Sequence, residues 1–491
     1  MRGQPSALEA FSELERWLDA SATQQLGLGE IERECERQGR ELLRRLLQDH
    51  VDARGLGDGG AALQVATPHG PLILSHKRVH TRRHVTVFGE ITVTRIGYGR
   101  PGHASIHPLD AELGLPARCY SYELQRRLVT AAVHAPFDHA VGLLVDATGV
   151  AIPKRSAEQI VIDAACDFDA FYAQRATDGD VGADGPILVG AVDGKGIPMV
   201  KPEPAVKTAR LRKGQKRQKK RMATVGCVFA QQPHPRTPEA VVASLFADPD
   251  RHPEHNGGAA TPRRTRARPQ RKRVWASLLA GKDAFITDVR AEMARRDPHH
   301  ERAWVIVTDG ERALQRRVTK IFQHDHVTLI LDLLHALEKL WAAAYVFHPE
   351  GSPQAETFVR ERTLRILRGQ SSGVVQGLRQ MVTKRGLQGQ RRDTLLAVAG
   401  YLHRNRERMR YHDYLANGWP IASGSVEGTC KNLVKDRMER SGMRWSPEGA
   451  EAMLRLRATH LSGDFDAYWA FHVQQDQQRL HPEGAWTVVR K

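Results

Sequence analysis

PILVGAVDG (186–194) is an unbroken apolar run that ends in an acid and a glycine. AWVIVTDG (303–310) repeats that grammar, its aspartate standing 116 residues further on. ATVGCVFA (223–230) and VTLILDLL (327–334) are two more such runs. Strands that are apolar at every position are buried on both faces. Helical patterns at 275–296 and 311–323 separate the runs, so residues 186–334 predict an α/β sheet covered by helices. Asp193 and Asp309 then fall at the carboxyl ends of buried strands, where open α/β sheets hold their ligands. A strand that merely stops at an Asp-Gly turn looks the same, so neither aspartate defines a site alone.

Upstream, Leu8, Phe11, Leu14, Leu18 and then Leu42, Leu43, Leu46 and Leu47 recur at helical spacing, which makes 1–60 a helical region closed by the loop GLGDGG (55–60). Residues 61–119 are β-rich: LQVAT, PLILS and HVTVFGEITVTRIGY, the last a hairpin around Gly89. From 120 to 176 the pattern is helical again. YELQRRLVTAAVH is one helix and PFDHAVGLLVDATG a second; Gly149 makes a turn, and PKRSAEQIVIDAACDFDAFYAQ is a third. This spacing fits a helix-turn-helix that presents Lys154, Arg155, Ser156 and Gln159 to a DNA groove. A plain helical hairpin has the same pattern. TDGDVGADG (177–185) is a linker, and 335–415 is nearly all helical.

The chain has 491 residues, 41% hydrophobic and 26% charged, which implies several domains and excludes a disordered, collagenous or coiled-coil protein. No apolar run approaches the roughly 20 residues of a membrane span, and the first residues have no apolar leader core, so a cytoplasmic protein is expected. Cys35, Cys119, Cys166, Cys227 and Cys430 form no CxxC pair and predict reduced thiols. The net charge of +17 is concentrated: residues 1–150 hold 17 basic and 18 acidic residues. Fifteen cations lie in two acid-free runs. One is 210–221, with Arg210, Arg212, Lys213, Lys216, Arg217, Lys219, Lys220 and Arg221. The other is 263–273, with Arg263, Arg264, Arg266, Arg268, Arg271, Lys272 and Arg273. Such arms repel themselves until a polyanion neutralises them, and nucleic acid is the commonest one.

A third acid stands in WPIASGSVEGTCKNLVKDRMERSGMRW (419–445). Ser423 or Ser425 can cap a helix that Gly442 ends, and Glu427, Lys431 and Lys435 recur every four residues along it. A helix-start acid with an i,i+4 salt bridge explains Glu427 equally well. Two strand-end aspartates and one helical glutamate also suit two hard cations about 4 Å apart, which clamp an in-line phosphoryl displacement.

AVDGKG, WVIVTDGERAL, LDLLHALEKLW and above all the 419–445 stretch resemble the DDE transposases of bacterial insertion sequences. The ISKra group is the nearest match and Mutator-type enzymes are more distant. HVTVFGEITVTRIGY followed by HPLDAELGLP is similar to that group's upstream signature, so the likeness spans about 80–475. The resemblance implies an RNase H-like catalytic domain with an all-α insertion, preceded by a mostly helical DNA-binding domain with a small β-hairpin region. It divides the second part into 186–334, the insertion 335–415, a completion of the catalytic domain over 416–475 and a tail over 476–491. The resemblance implies a catalytic and metal-binding triad of Asp193, Asp309 and Glu427, holding two Mg²⁺ ions, with Mn²⁺ as the substitute. Asp332 and His335 match an accessory Asp-His pair. Lys154, Arg155, Lys431, Lys435 and the two arms become DNA contacts. The implied partners are terminal inverted repeats, target DNA and a second copy of the chain, at the bacterial nucleoid. Relatives often carry a cysteine pair after the upstream hairpin; GYGRPGHAS has none, which puts zinc there in doubt.

Overall fold

The computed structural model describes residues 6–67, 70–175, 184–200, 220–247 and 268–489, with only the backbone for 425–427 and 441. The protein is a mixed α/β chain. It divides into two compact units, Met1–Gln174 with Asp464–Lys491, and Arg175–Gly463.

In the first unit, helix Ala7–Asp19 starts at a reciprocal cap: the Ser6 hydroxyl accepts the Glu9 N–H while Glu9 accepts the Ser6 N–H. Helix Leu28–Ala53 follows. Strands β1 (Leu63–Thr67) and β2 (Gly70–Leu74) pair antiparallel, and the C-terminal strand Trp486–Val488 adds to the free edge of β1. β3 (His76–Thr86) and β4 (Gly89–Arg100) form the expected hairpin, and β5 (His103–Ile106) extends it. Helices Tyr122–His134, Phe137–Thr148 and Lys154–Ala164 pack together on Leu124, Leu128, Val129, Ala140, Leu144, Ile160 and Val161. Gly149 ends the second of them in a left-handed conformation, φ +70°.

Two expectations fail in this unit. The single helix predicted from 153 to 174 is two, Lys154–Ala164 and Phe168–Gln174. Between them Asp167 is held by His472 and Arg479, long-range contacts that local periodicity does not show. Helix Phe465–Leu480, expected to finish the catalytic domain, belongs to the first unit. It carries His472 and Arg479, and Asp476, which accepts from the Tyr122 hydroxyl at 2.6 Å.

The second unit is built on β6 (Ile187–Pro198), β7 (Lys220–Gln231), β8 (Gln270–Ser277), β9 (Ala303–Thr308) and β10 (Val327–Leu331), in the order β10-β9-β6-β7-β8. β7 pairs antiparallel with both β6 and β8, while β9 and β10 run parallel to β6. Helix Lys282–Arg296 packs across β6 and β7, where Gly190 and Gly226 leave room for Met293 and Phe285. The helix predicted over 275–296 therefore starts later, because residues up to Ser277 form β8. Its first half, Gln-Arg-Lys-Arg, is too polar to announce a strand. β8 is held from outside by Glu451, which accepts from the Ser277 hydroxyl at 2.8 Å and the Leu278 N–H at 2.7 Å. Residues 333–416 form helices Leu333–Ala344, Pro353–Leu367, Ser371–Lys384, Gly389–Asn405 and Tyr411–Ala416, which share one apolar core with the sheet. Among the described residues, no helix is long and apolar enough to cross a membrane.

Candidate active site

The strand register brings the acids together. On β6 and β9, Gly190 pairs with Ile306 and Ala191 with Val307. Two residues further on, the same register sets Asp193 beside Asp309; the sequence gap between the aspartates equals the register offset. On β9 and β10, Thr308 pairs with Leu331, so the next residues are Asp309 and Asp332. The Asp332 N–H donates to the Thr308 carbonyl at 2.8 Å. Residues level with one another on parallel strands turn to the same face. Asp193, Asp309 and Asp332 thus form one row across three adjacent strand ends.

The two Asp-Gly steps in this row differ. Gly310 has φ +85°, and a Cβ there would lie 2.4 Å from the Tyr401 hydroxyl and 2.8 Å from Leu331 Cδ1. The chain turns at this glycine because no side chain fits. Asp193-Gly194 was expected to turn in the same way. Instead β6 continues to Pro198, because β7 pairs with it along that whole length. Asp193 lies at the end of the parallel pairing but in the middle of an antiparallel strand.

Each aspartate is held differently. Asp193 is half-buried; its Oδ1 accepts the Gly194 N–H at 2.6 Å and its Oδ2 the Cys430 thiol at 3.1 Å. Burial, and next the Asp193 charge, push the Cys430 thiol far up, so it is a protonated donor. Asp309 is half-buried, its Oδ1 accepts the Glu311 N–H at 2.8 Å, and its carbonyl accepts the Tyr401 hydroxyl at 2.8 Å. Among the described residues, no Lys, Arg or His forms an ion pair with Asp193 or Asp309. Asp332 is fully buried and caps helix Leu333–Ala344 by accepting the Leu334 N–H at 2.9 Å. It also accepts from the Ser423 hydroxyl and pairs with His335 Nδ1 at 2.8 Å. Burial would raise its pKa, but His335, Ser423 and the Leu334 N–H together hold it below the usual value. The same bond lifts His335 to about 9, so its ring is charged at neutral pH.

The backbone carrying Glu427 is fastened at both ends of this row. Before it, the Leu333 N–H donates to the Ile421 carbonyl at 2.9 Å, and Ser423 reaches Asp332. After it, Cys430 reaches Asp193. Glu427 lies between these ties on helix Gly424–Thr429; its side chain is outside the described residues. A π-helical turn, Cys430–Lys435, follows, so the single α-helical face expected for Glu427, Lys431 and Lys435 is broken by a wider turn. Lys431 and Lys435 are exposed. Arg437 and Trp445, prominent in the sequence motif, are structural. The guanidinium sits 4.9 Å from the Trp445 ring, and the Trp445 backbone bonds to Pro198 and Val200 at the end of β6.

The predicted DNA contacts divide. Residues 210–219 and 263–267 lie outside the described residues, and with them Arg210, Arg212, Lys213, Lys216, Arg217, Lys219, Arg263, Arg264 and Arg266. Lys220 and Arg221 are exposed at the start of β7, with Lys220 paired to Glu439 at 2.7 Å. Arg268 is exposed and Lys272 half-buried. Arg271 pairs with Asp184 at 3.1 Å. Arg273 is not an arm residue: it lies in β8, buried, paired with Glu292 and stacked 4.6 Å from Trp275. Lys154 and Arg155 are exposed, as expected, with Lys154 paired to Asp138 at 2.8 Å.

Sequence reasoning missed two residues at the row. Tyr401 and Cys430 contact the two aspartates from distant segments, and no local pattern marks either. Among the described residues, the one group of three metal-ligand side chains within 4.8 Å of one another is Cys166, Asp167 and His472, in the first unit. The chain matches no protein-family model and no curated protein.

Proposed function

We propose that the protein is a DDE transposase that binds the ends of its insertion sequence and performs metal-dependent DNA strand cleavage and strand transfer. The second unit is then an RNase H-like catalytic domain with an all-α insertion, and Asp193, Asp309 and Glu427 are its triad. One observation carries the proposal. Asp193 and Asp309 fall level on adjacent parallel strands, and the Glu427 backbone is tied between Asp332 and Asp193. A first strand with an antiparallel meander on one side and two parallel strands on the other also supports it.

The donor set fits Mg²⁺ or Mn²⁺. It consists of hard carboxylate oxygens, and among the described residues no cationic side chain has already neutralised Asp193 or Asp309. Such ions would supply charge stabilisation of the reacting phosphate and activation of the attacking oxygen. The chain's own part is to fix the carboxylates: Cys430 and Gly194 hold Asp193, while Tyr401 and Glu311 hold Asp309. The reaction is two in-line displacements. Water bonds to the phosphorus at the element's end as the bridging 3′-oxygen leaves and takes a proton. That 3′-hydroxyl then bonds to a target phosphorus as the target's own 3′-oxygen leaves. Two ends must be brought together, so a dimer or larger assembly is part of the proposal. The exposed Lys154 and Arg155 and the two basic runs are assigned to DNA.

The test uses the purified chain and duplexes taken from the DNA that flanks its gene. Mg²⁺-dependent nicking and joining are expected, abolished by EDTA and reduced about a thousandfold by Asp193→Ala. Full cleavage by that variant, or in EDTA, would overturn the triad. Nicking without joining would make the protein a nuclease.

A further inference from the structure

We infer that the hairpin of helices Ala7–Asp19 and Leu28–Ala53 is a self-association surface, on which a second copy of this chain packs to complete a four-helix bundle. The transposase reading calls for two copies, but the inference does not rest on that reading. It comes from the two helices alone, which carry neither the acids nor the basic runs.

The hairpin does not close a core of its own. Its helices run antiparallel, and the Ala7 N–H donates to Asp49 at 3.4 Å. The longer helix packs on β4 through Leu47 and Val51. Yet Ala7 and Val51 are the two buried residues of both helices together. Large apolar side chains stay in water: Leu8 is 75% exposed, Leu28 74% and Leu46 50%, and Phe11, Leu18 and Leu43 are exposed as well. Leu8, Phe11 and Leu18 follow at steps of three and seven, one stripe along the first helix. Leu28 and Leu46 stand five whole turns apart, and Leu43 is three residues before Leu46, so these share a face of the second. The antiparallel packing sets Leu8 and Phe11 level with Leu46 and Leu43, so the two stripes adjoin as one surface.

Single exposed leucines are ordinary, but a joined apolar patch marks an interface. The six side chains expose on the order of 600 Å² per copy, and doubling that across a two-fold axis reaches the roughly 1,200–2,000 Å² of a stable protein interface. The charge around the patch disfavours a polyanion or an anionic lipid surface. Helix Ala7–Asp19 carries Glu9, Glu13, Glu15 and Asp19 against Arg16 alone. The longer helix settles charges within itself, pairing Glu34 with Arg37, Glu36 with Arg40, and Glu41 with Arg44 and Arg45. Gly39 is a second, independent sign. It lies four and seven residues before Leu43 and Leu46, on their face, in mid-helix, where glycine costs about 1 kcal/mol relative to alanine. A Cβ there would meet nothing among the described residues. The chain itself does not need that room; a helix of a second copy crossing at Gly39 does. Two such hairpins facing each other make a four-helix bundle with a self-complementary interface.

The test is sedimentation velocity on the full chain without DNA, over a concentration series in the micromolar range. A species of twice 54.8 kDa is expected. Phe11→Glu and Leu46→Glu should each raise its dissociation constant roughly a hundredfold. The melting temperature of the dissociated chain should not change, since both side chains are already in water. Gly39→Ala should raise the constant roughly tenfold while making the dissociated chain melt higher. A glycine with no partner across the interface would give the second effect without the first. A chain that stays monomeric, or a dimer that Phe11→Glu and Leu46→Glu both leave intact, overturns the surface, and the transposase assignment then depends on nicking alone. Co-sedimentation with phosphatidylserine–phosphatidylcholine vesicles that Phe11→Glu abolishes would make the occupant a membrane and overturn it equally.

Discussion

The protein holds two gatherings of acids, and they are built on opposite principles. In the first unit, Asp167 is buried and already satisfied. Arg479 reaches both of its oxygens at 2.6 and 3.0 Å, His472 bonds it at 2.7 Å, and the Cys166 thiol at 3.3 Å. His472 and Arg479 hold its carboxyl far below the usual range against the opposing effect of burial, and burial lifts Cys166 to about 11. In the second unit, Asp193 and Asp309 are half-buried and lack any such cation among the described residues. The first group has metal-ligand side chains closest together, yet Arg479 already engages both Asp167 oxygens. The second has the looser geometry and the unmet charge. Proximity of ligand-type residues therefore says less than whether their charge is already neutralised.

The sharpest way to break this comparison is to neutralise one acid in each group. Asp309→Asn should lower DNA nicking about a thousandfold with the melting temperature kept or raised. Asp167→Asn should do the reverse, costing about 2–3 kcal/mol of unfolding free energy with nicking per folded molecule unchanged, since it strands Arg479 and His472. Urea denaturation and nicking rates on the same samples decide it; loss of catalysis in Asp167→Asn would make the first group functional. Next come the two glycines that follow the aspartates. Gly310→Ala must adopt φ +85° against Tyr401 and should cost about 1–3 kcal/mol and most of the nicking. Gly194→Ala meets the Met222 Cε at 3.2 Å, the end of a flexible exposed side chain, and the Ala223 carbonyl oxygen at an ordinary 3.9 Å, and should stay within about 1 kcal/mol in the same denaturation assay.

A smaller effect is expected at Cys430. Cys430→Val removes the donor to Asp193 and should raise the Mg²⁺ concentration for half-maximal nicking roughly tenfold, while Cys430→Ser keeps it near wild type. Equal behaviour of the two variants would reduce Cys430 to packing.

The mildest test concerns the Asp332–His335 pair, which lies between the two types, buried like Asp167 but next to the row. His335 is raised from the ordinary 6.5 to about 9, so its contribution to stability is complete below 6.5 and is lost as pH rises through 9. Asp332 is lowered, so its contribution is present above the ordinary carboxylate value of 3.8 and is lost as pH falls through its lower folded value. The stability gap between wild type and His335→Gln should be widest between about pH 4 and 6.5 and should close toward pH 9 in thermal melts. A gap that does not change with pH would show the bond to be neutral.

Much of the scaffold was legible in advance. Continuous apolar runs marked β6, β7, β9 and β10, because strands covered on both faces have no polar side. Alternation around Gly89 marked the β3–β4 hairpin. β8 was not legible, since its first residues are charged and its burial comes from helix Pro447–Leu461, whose Glu451 caps its end. Arg273 was taken for an arm residue for the same reason: composition does not reveal a partner such as Glu292, nineteen positions away on another element.

By itself the sequence determined the acids and their order. Asp193 and Asp309 each close an apolar run, and Glu427 lies on a short helix, because local periodicity is written in neighbouring residues. Tertiary structure alone decided what those acids face. Parallel pairing turns a gap of 116 residues into one row and adds Asp332 to it. Pairing with β7 carries β6 straight through an Asp-Gly step that reads as a turn. Tyr401, Ser423 and Cys430 come from segments 90 to 240 residues away to hold the three aspartates. The return of helix Phe465–Leu480 to the first unit brings His472 and Arg479 to Asp167. The physical reason is common to all of these. A hydrogen bond or an ion pair depends on distance in space, and only the folded chain fixes that distance for residues far apart in sequence.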